Sequence, residues 1–571
     1  MRMIPSDSEI AHAARLRPIE EIAKELGVKD DEFDFYGKNI GKIDLKILDR
    51  LKDKPNGKFV TVTCVNPSPL GEGKTVTTIG LGQGMAKLGR KIITTLRQPS
   101  MGPTFGIKGG AAGGGYSQML PMQEINLGFT GDIHAVEMAH NLFNAAMDAS
   151  ILHGNPLELD VNNLSLRRCV DLNDRVLRDI VVGLGGTPNG VPRQTGFDIT
   201  VATETAAILA LATSFQDLRR RIGKMVCGFS RSGKPATADD LGVAGAMTAL
   251  LRNAIKPNLV QSTENHPILC HGFPFANVAH GNNSVVADLV ALKLADYCIT
   301  ESGFGADMGA EKLINIVCRQ SGLKLDAVVI TCSVRALKMH GGAFDLHAGV
   351  EYAAVKDKAE KENIPALIKG FQNLKVHIEN LHKFGIPIVV TINRFAADTD
   401  KEIETLKSMV ESETDVTKCV PIEAWSRGGE GCLEAAQAIV EACKQPNNFC
   451  CLYPDDWSIK QKIEIICKEI YRAEAVDYLP IAERKIKQFT EFGWDKLPIC
   501  MAKTHLSLSA DPSLKNVPRG FRVIVRDIRA SVGAGFIYPL LGEIMTMPGL
   551  GSKPSFQKID IDPEGKITGL F

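Results

Sequence analysis

Lys74 and Thr75 close the segment Ser68-Pro69-Leu70-Gly71-Glu72-Gly73-Lys74-Thr75, and these residue types in this order suit phosphate binding. Glycines let backbone N–H groups close on phosphate oxygens, and a following helix N-terminus adds partial positive charge. The lysine adds a full charge, and a threonine hydroxyl can ligate magnesium. The segment reads as a cradle for a nucleotide triphosphate, with Thr75 as the Mg2+ ligand. The usual pattern begins with glycine where this chain has Ser68. A plain glycine-rich turn in an α/β protein is the competing reading.

The flanking residues must place that loop. The β-branched run at 59–65 predicts a strand before it, and residues 76–88 predict a helix after it despite Gly80, Gly82 and Gly84. Residues 91–96 predict a second buried strand, giving a parallel, right-handed βαβ unit. Arg97 then lies at a strand's C-terminal end, the edge where open parallel sheets bind ligands, and can face the same phosphates as Lys74. A surface salt-bridge arginine is the alternative. The run 106–116 is too rich in glycine for a helix or strand interior. It predicts a loop whose amides, with Lys108, Gly109 and Gly110, approach an anion; a flexible linker is the bland alternative.

Farther along, Ser6-Asp7-Ser8-Glu9 has the form of a capping box ahead of one or two amphipathic helices. Short apolar runs at 178–184, 297–300, 327–332, 386–392 and 419–422 predict parallel strands buried on both faces. The fold expected is α/β and P-loop NTPase-like: a doubly wound, mostly parallel sheet with smaller additional α/β domains. The expected division is 1–320 for the P-loop nucleotide-binding domain, 321–450 for a second α/β domain and 451–571 for a C-terminal one. Asn393, with Asp398 beyond it, follows the strongest of these strands, where GTPase-like proteins read a base; a helix N-cap or loop role stands equally open. Residues 457–487 predict helix, and 520–526 open a mixed C-terminal region.

Lys plus Arg and Asp plus Glu number 66 each, and the charges are interspersed, which argues against nucleic-acid or membrane-surface binding. Fourteen cysteines show neither zinc-site spacing nor a disulfide framework. No apolar run approaches the roughly 18 residues that span a bilayer. A soluble cytoplasmic protein with reduced thiols is expected.

The run Gly106 to Tyr116 resembles a signature of the formate–tetrahydrofolate ligase family, and Val334 to Gly342 resembles a second. Thr130-Gly131-Asp132-Ile133-His134-Ala135, Pro274-Phe275-Ala276-Asn277, Gly303-Phe304-Gly305-Ala306-Asp307 and Met545 to Leu550 are similar to further blocks of that family. The likeness extends over essentially the whole chain. Gln98, Phe273 and Thr331-Cys332-Ser333 depart from the family's usual residues.

The resemblance implies that formate attacks the γ-phosphorus of ATP to give formyl phosphate, whose carbonyl then takes N10 of tetrahydrofolate and expels phosphate. Lys74, Arg97 and Mg2+ would offset the repulsion of two anions in the first step. By their place in a family block, His134 and Asp132 are candidates for the base, against a structural role for each. By similarity Phe304 and Trp425 sandwich the pterin, against plain core packing. Mg2+ would arrive with ATP, a monovalent cation (K+ or NH4+) would activate, and the chain would form a homodimer or homotetramer. A monofunctional ligase is expected, with another carboxylate-phosphorylating P-loop enzyme and a nucleotide switch as rival readings.

Overall fold

The computed structural model describes residues 5–106, 112–346 and 352–570. Among them, twelve strands form one sheet: β1 (Phe33–Phe35), β2 (Gly41–Ile43), β3 (Lys58–Cys64), β4 (Ile92–Leu96), β5 (Gly113–Gly114), β6 (Ser117–Leu120), β7 (Asn258–Ser262), β8 (Pro267–Cys270), β9 (Tyr297–Glu301), β10 (Ala327–Cys332), β11 (Ile388–Asn393) and β12 (Lys418–Ile422). Side by side they run β1-β2-β7-β8-β4-β9-β3-β10-β11-β12, with the β5–β6 pair set against β7. Every neighbouring pair from β8 to β12 is parallel. The flank from β1 to β8 is antiparallel.

Alternation along the central strands explains why both faces are covered. Val60 and Val62 of β3 and Val329 of β10 pack with Leu81 and Met85 of helix Lys74–Lys87 and with Ile439. Phe59, Val328, Ile330, Val390 and Ile392 point the other way, into a core shared with Phe371 and Leu374 of helix Ile364–His382. The glycines of helix Lys74–Lys87 serve that packing: a Cβ on Gly82 would stand 2.3 Å from Thr94 Oγ1.

The order of the strands makes a crevice. β3 and β4 are not neighbours as a simple βαβ unit would have them, because β9 lies between the two and pairs with both. The chain leaves β3 into the helix on one face, and leaves β9 into two π-helical turns, Ala306–Ala310 and Leu313–Cys318, on the other. Where neighbouring strands send their connections to opposite sides, the C-terminal edge is left open for a ligand.

Three expectations change. The run at 178–184 contributes Ile180–Val182 to a separate hairpin with Arg193–Thr195, where Val181 is more than half exposed and cannot sit in a two-faced core. The span 457–487 is broken by a strand, Ala475–Tyr478, between helices Ile459–Glu469 and Pro480–Glu491; that strand pairs in parallel with Arg522–Val525. Strands β7 and β8 went unforeseen. The capping box at Ser6 is formed, with Glu9 reaching back to the Ser6 N–H at 2.7 Å. All fourteen cysteines are free, and no described helix is long and apolar enough to cross a membrane.

Candidate functional site

The phosphate-type loop leaves β3 at Cys64 and enters helix Lys74–Lys87 at Gly73, whose φ of 69° is open to glycine at little cost. Three neighbours fix its shape. Glu72 is folded back and buried: one carboxylate oxygen accepts the Ser68 N–H at 2.8 Å and the other accepts the Ser333 hydroxyl. Burial raises its carboxyl above the ordinary value, against the pull of those hydrogen bonds. The Asn393 side-chain amide, at the end of β11, donates to the Glu72 carbonyl at 3.0 Å. Arg335 donates to the Gly71 carbonyl at 3.3 Å and lies over the Phe395 ring, 4.4 Å from its centroid.

The polar groups of the crevice converge around this loop. The Thr75 hydroxyl donates to Glu301 at the tip of β9 at 2.9 Å, and Glu301 is buried. Lys74, half-buried, donates to Cys64 Sγ at 3.4 Å, and that thiol donates to the Phe304 carbonyl at 3.2 Å. Burial pushes the Cys64 thiol up to about 11 despite the lysine, so it stays protonated at neutral pH. Arg97 follows β4, the other neighbour of β9. Its Nε is buried without a hydrogen-bond partner, and burial lowers the pKa of the guanidinium against an upward pull from the Glu301 charge. The guanidinium runs beside Gly303, where an added Cβ would stand 3.4 Å from Arg97 Nη2.

Behind the loop, Asn66 gathers a buried network. It donates to Asp307 at 3.1 Å, its side-chain oxygen accepts from Asn373 at 3.0 Å, and its carbonyl accepts from His340 Nε2 at 2.8 Å. His340 Nδ1 accepts the Asn516 N–H at 3.0 Å. Lys503 pairs with Asp307 at 2.7 Å, both side chains being fully buried. The segment around residues 503–516 is thereby tied to the entrance of the loop.

The expected site residues divide. Ser68 to Thr75 form the loop, and Arg97 stands at the same sheet edge. Asn393 braces the loop through its side-chain amide nitrogen. Asp398 accepts the Phe395 N–H at 2.8 Å, and burial raises its carboxyl to about 6. Asp132 gives one oxygen to buried Lys42 at 2.8 Å and the other to Asn258 at 2.7 Å. Those partners sit on β2 and β7, and Asn258 pairs with Cys270, which pairs with Leu96 just before Arg97. Asp132 is buried, and His134, on the same helical turn, is exposed.

Phe304 and Trp425 each border other groups. Phe304 has φ 59°, strained for a bulky residue, and stacks on His505 at 4.3 Å with planes 15° apart. Trp425 is 41% exposed, and its ring borders Gly114 and Gly115. Lys108, Gly109 and Gly110 lie outside the described residues. The sequence reading missed Glu301, Ser333, Arg335, Lys503 and His505. For Glu301 a signal existed, an acid at a strand end; for Lys503 and His505, about 430 residues beyond the loop, none did.

The formate–tetrahydrofolate ligase family model matches residues 5–571. A formate–tetrahydrofolate ligase of Desulforamulus reducens is 55% identical over 571 residues, all of both chains. Proteins of that name from Roseiflexus castenholzii and Saccharopolyspora erythraea are 52% and 50% identical, each over 99% of this chain and 100% of its own length.

Proposed function

The chain belongs to the formate–tetrahydrofolate ligase family, and on that premise we propose that it joins formate to N10 of tetrahydrofolate at the expense of ATP, through formyl phosphate. The observation that supports this most is the convergence of Lys74, Thr75, Glu301 and Arg97 at one sheet edge. In this reading the fold is P-loop NTPase-like and residues 68–75 cradle the triphosphate. Thr75 and Glu301 present two hard oxygen ligands 2.9 Å apart and would hold the Mg2+ that accompanies ATP. When bound, Mg2+ supplies charge neutralisation between the phosphates. Lys74 and Arg97 would draw formate and the γ-phosphate together and stabilise the transferring phosphoryl group, while the Glu72 and Asn393 braces hold the loop in shape without further reorganisation.

Formate needs such activation because its carboxylate lacks a leaving group. Joining one oxygen to phosphorus makes a mixed anhydride whose phosphate can leave, and this opens the carbonyl to the amine. For the pterin, Trp425 offers an exposed aromatic face, and Phe395 follows β11, the strand beside the one that leads to Trp425. Phe304 remains the second aromatic contact of the reading, with one face on His505. Lys108, Gly109 and Gly110 add anion contacts. A monovalent cation activator, a homodimeric or homotetrameric assembly and a cytoplasmic location belong to the same reading.

The test is ADP formation from MgATP at fixed potassium, with formate and tetrahydrofolate present together and then omitted singly. Turnover that needs both, with 10-formyltetrahydrofolate appearing in step with ADP, supports the reading. ADP formation indifferent to both, or dependent on another carboxylate alone, overturns it.

A further inference from the structure

Amide formation from an acyl phosphate releases a proton from the attacking amine, and Asp132 already has both oxygens engaged by Lys42 and Asn258. His505 stands at the site instead. Its ring lies flat on Phe304; the Phe304 carbonyl accepts the Cys64 thiol, and Cys64 accepts the Lys74 ammonium. One short chain of contacts thus ties the imidazole to the phosphate-binding lysine. The loop that carries it is clamped from below: Lys503, buried and paired with Asp307, also donates to the carbonyls of Thr504 at 2.9 Å and Ser507 at 2.5 Å. Among the described residues neither ring nitrogen of His505 has a hydrogen-bond partner, while the ring plane is fixed by stacking.

We propose that His505 is the catalytic base of the acyl-transfer step, accepting the proton of tetrahydrofolate N10; this rests on the formyl phosphate reading above. N10 attacks the formyl carbon and the C–N bond forms. The C–O bond to phosphorus-bound oxygen breaks, and its electron pair leaves with phosphate. The N10 proton passes to the free ring nitrogen of His505, and from the resulting imidazolium to phosphate or solvent. Burial first, then the charges of Lys503, Lys74 and Lys515, hold the free imidazole down to about 4 against an upward pull from Asp307, so it is neutral at pH 7. Phosphate bound at Lys74 offsets part of that repulsion and makes the ring more basic when the acyl phosphate is in place.

Hydroxylamine separates the two half-reactions, since it captures formyl phosphate as the hydroxamate without folate. The full-length protein is assayed as native, His505→Gln and His505→Ala, with thermal melting as the check on folding. His505→Gln is expected to lose about 10²-fold in tetrahydrofolate-dependent turnover. Hydroxamate formation should stay within about threefold of native, and added imidazole should restore part of the lost turnover to His505→Ala. Tetrahydrofolate turnover by His505→Gln within about twofold of native, with native hydroxamate formation, overturns the proposal alone. Equal loss of both half-reactions overturns it in favour of a loop-supporting role. Absence of hydroxamate from the native protein overturns the formyl phosphate reading, and the proposal with it.

Discussion

The side-chain amide of Asn393 donates to the backbone carbonyl of Glu72 at 3.0 Å, so the last residue of β11 holds the loop that follows β3. The two strands are not neighbours; β10 lies between them. The brace therefore spans the sheet edge above a third strand and fixes the cradle before any ligand arrives.

Asn393→Ala should leave the Glu72 carbonyl without its partner, at a cost of about 1–3 kcal/mol. The expected result is a KM for ATP raised about tenfold, with the ratio of kcat/KM for ATP to that for GTP unchanged. A changed ATP-to-GTP ratio would instead mean that Asn393 reads the base. Gly73→Ala should be worse, because φ is 69° and the new Cβ would meet the Asn393 amide at 2.4 Å. Combined with Asn393→Ala, part of that loss should return, which a double-mutant cycle measures.

Lys74→Ala and Arg97→Ala are each expected to lower kcat/KM by about 10²–10³-fold or more while thermal melting stays near native. Both cations are partly buried at the crevice. Near-native turnover by either variant would remove it from the phosphoryl-transfer step.

Glu301→Gln keeps a hydrogen-bond acceptor for Thr75 but removes the charge. The Mg2+ concentration for half-maximal turnover should rise about tenfold or more, whereas the KM for tetrahydrofolate should not move. Thr75→Val should act in the same direction. Titration of activity with Mg2+ at fixed ATP decides it.

His340 is buried, uses both ring nitrogens, and burial holds it down to about 4. Its folded value lies below the unfolded one, so the unfolded chain binds more protons. Stability from this group is present above about pH 6.5 and is lost as pH falls toward about 4, on the order of 3 kcal/mol across that window. Protonation would also set a second N–H against the Asn516 N–H. His340→Gln should flatten the fall in unfolding free energy between pH 6.5 and 4 relative to native, measured by denaturant melts at each pH.

Much of the loop and the central sheet was legible in the amino-acid order. Gly71, Gly73, Lys74 and Thr75 are adjacent, so their chemistry is local, and β3, β4, β10, β11 and β12 announce themselves as short β-branched runs. The antiparallel flank was not legible: β7 and β8 are short, and Asn258, Gln261 and Ser262 blur their apolar pattern although all are buried.

What the linear order settles here is whatever depends on spacings of a few residues: a glycine-rich loop, the helix that starts from it, and the strand end that carries Arg97. Which distant groups meet that loop was decided by packing. The insertion of β9 between β4 and β3 brings Glu301 to Thr75, and Asp132 meets Lys42 across 90 residues of sequence. Lys503 and His505 reach the loop only because a fully buried lysine needs a carboxylate, and Asp307 provides it at the crevice. Such pairings depend on burial and strand order, which a string of residues does not contain.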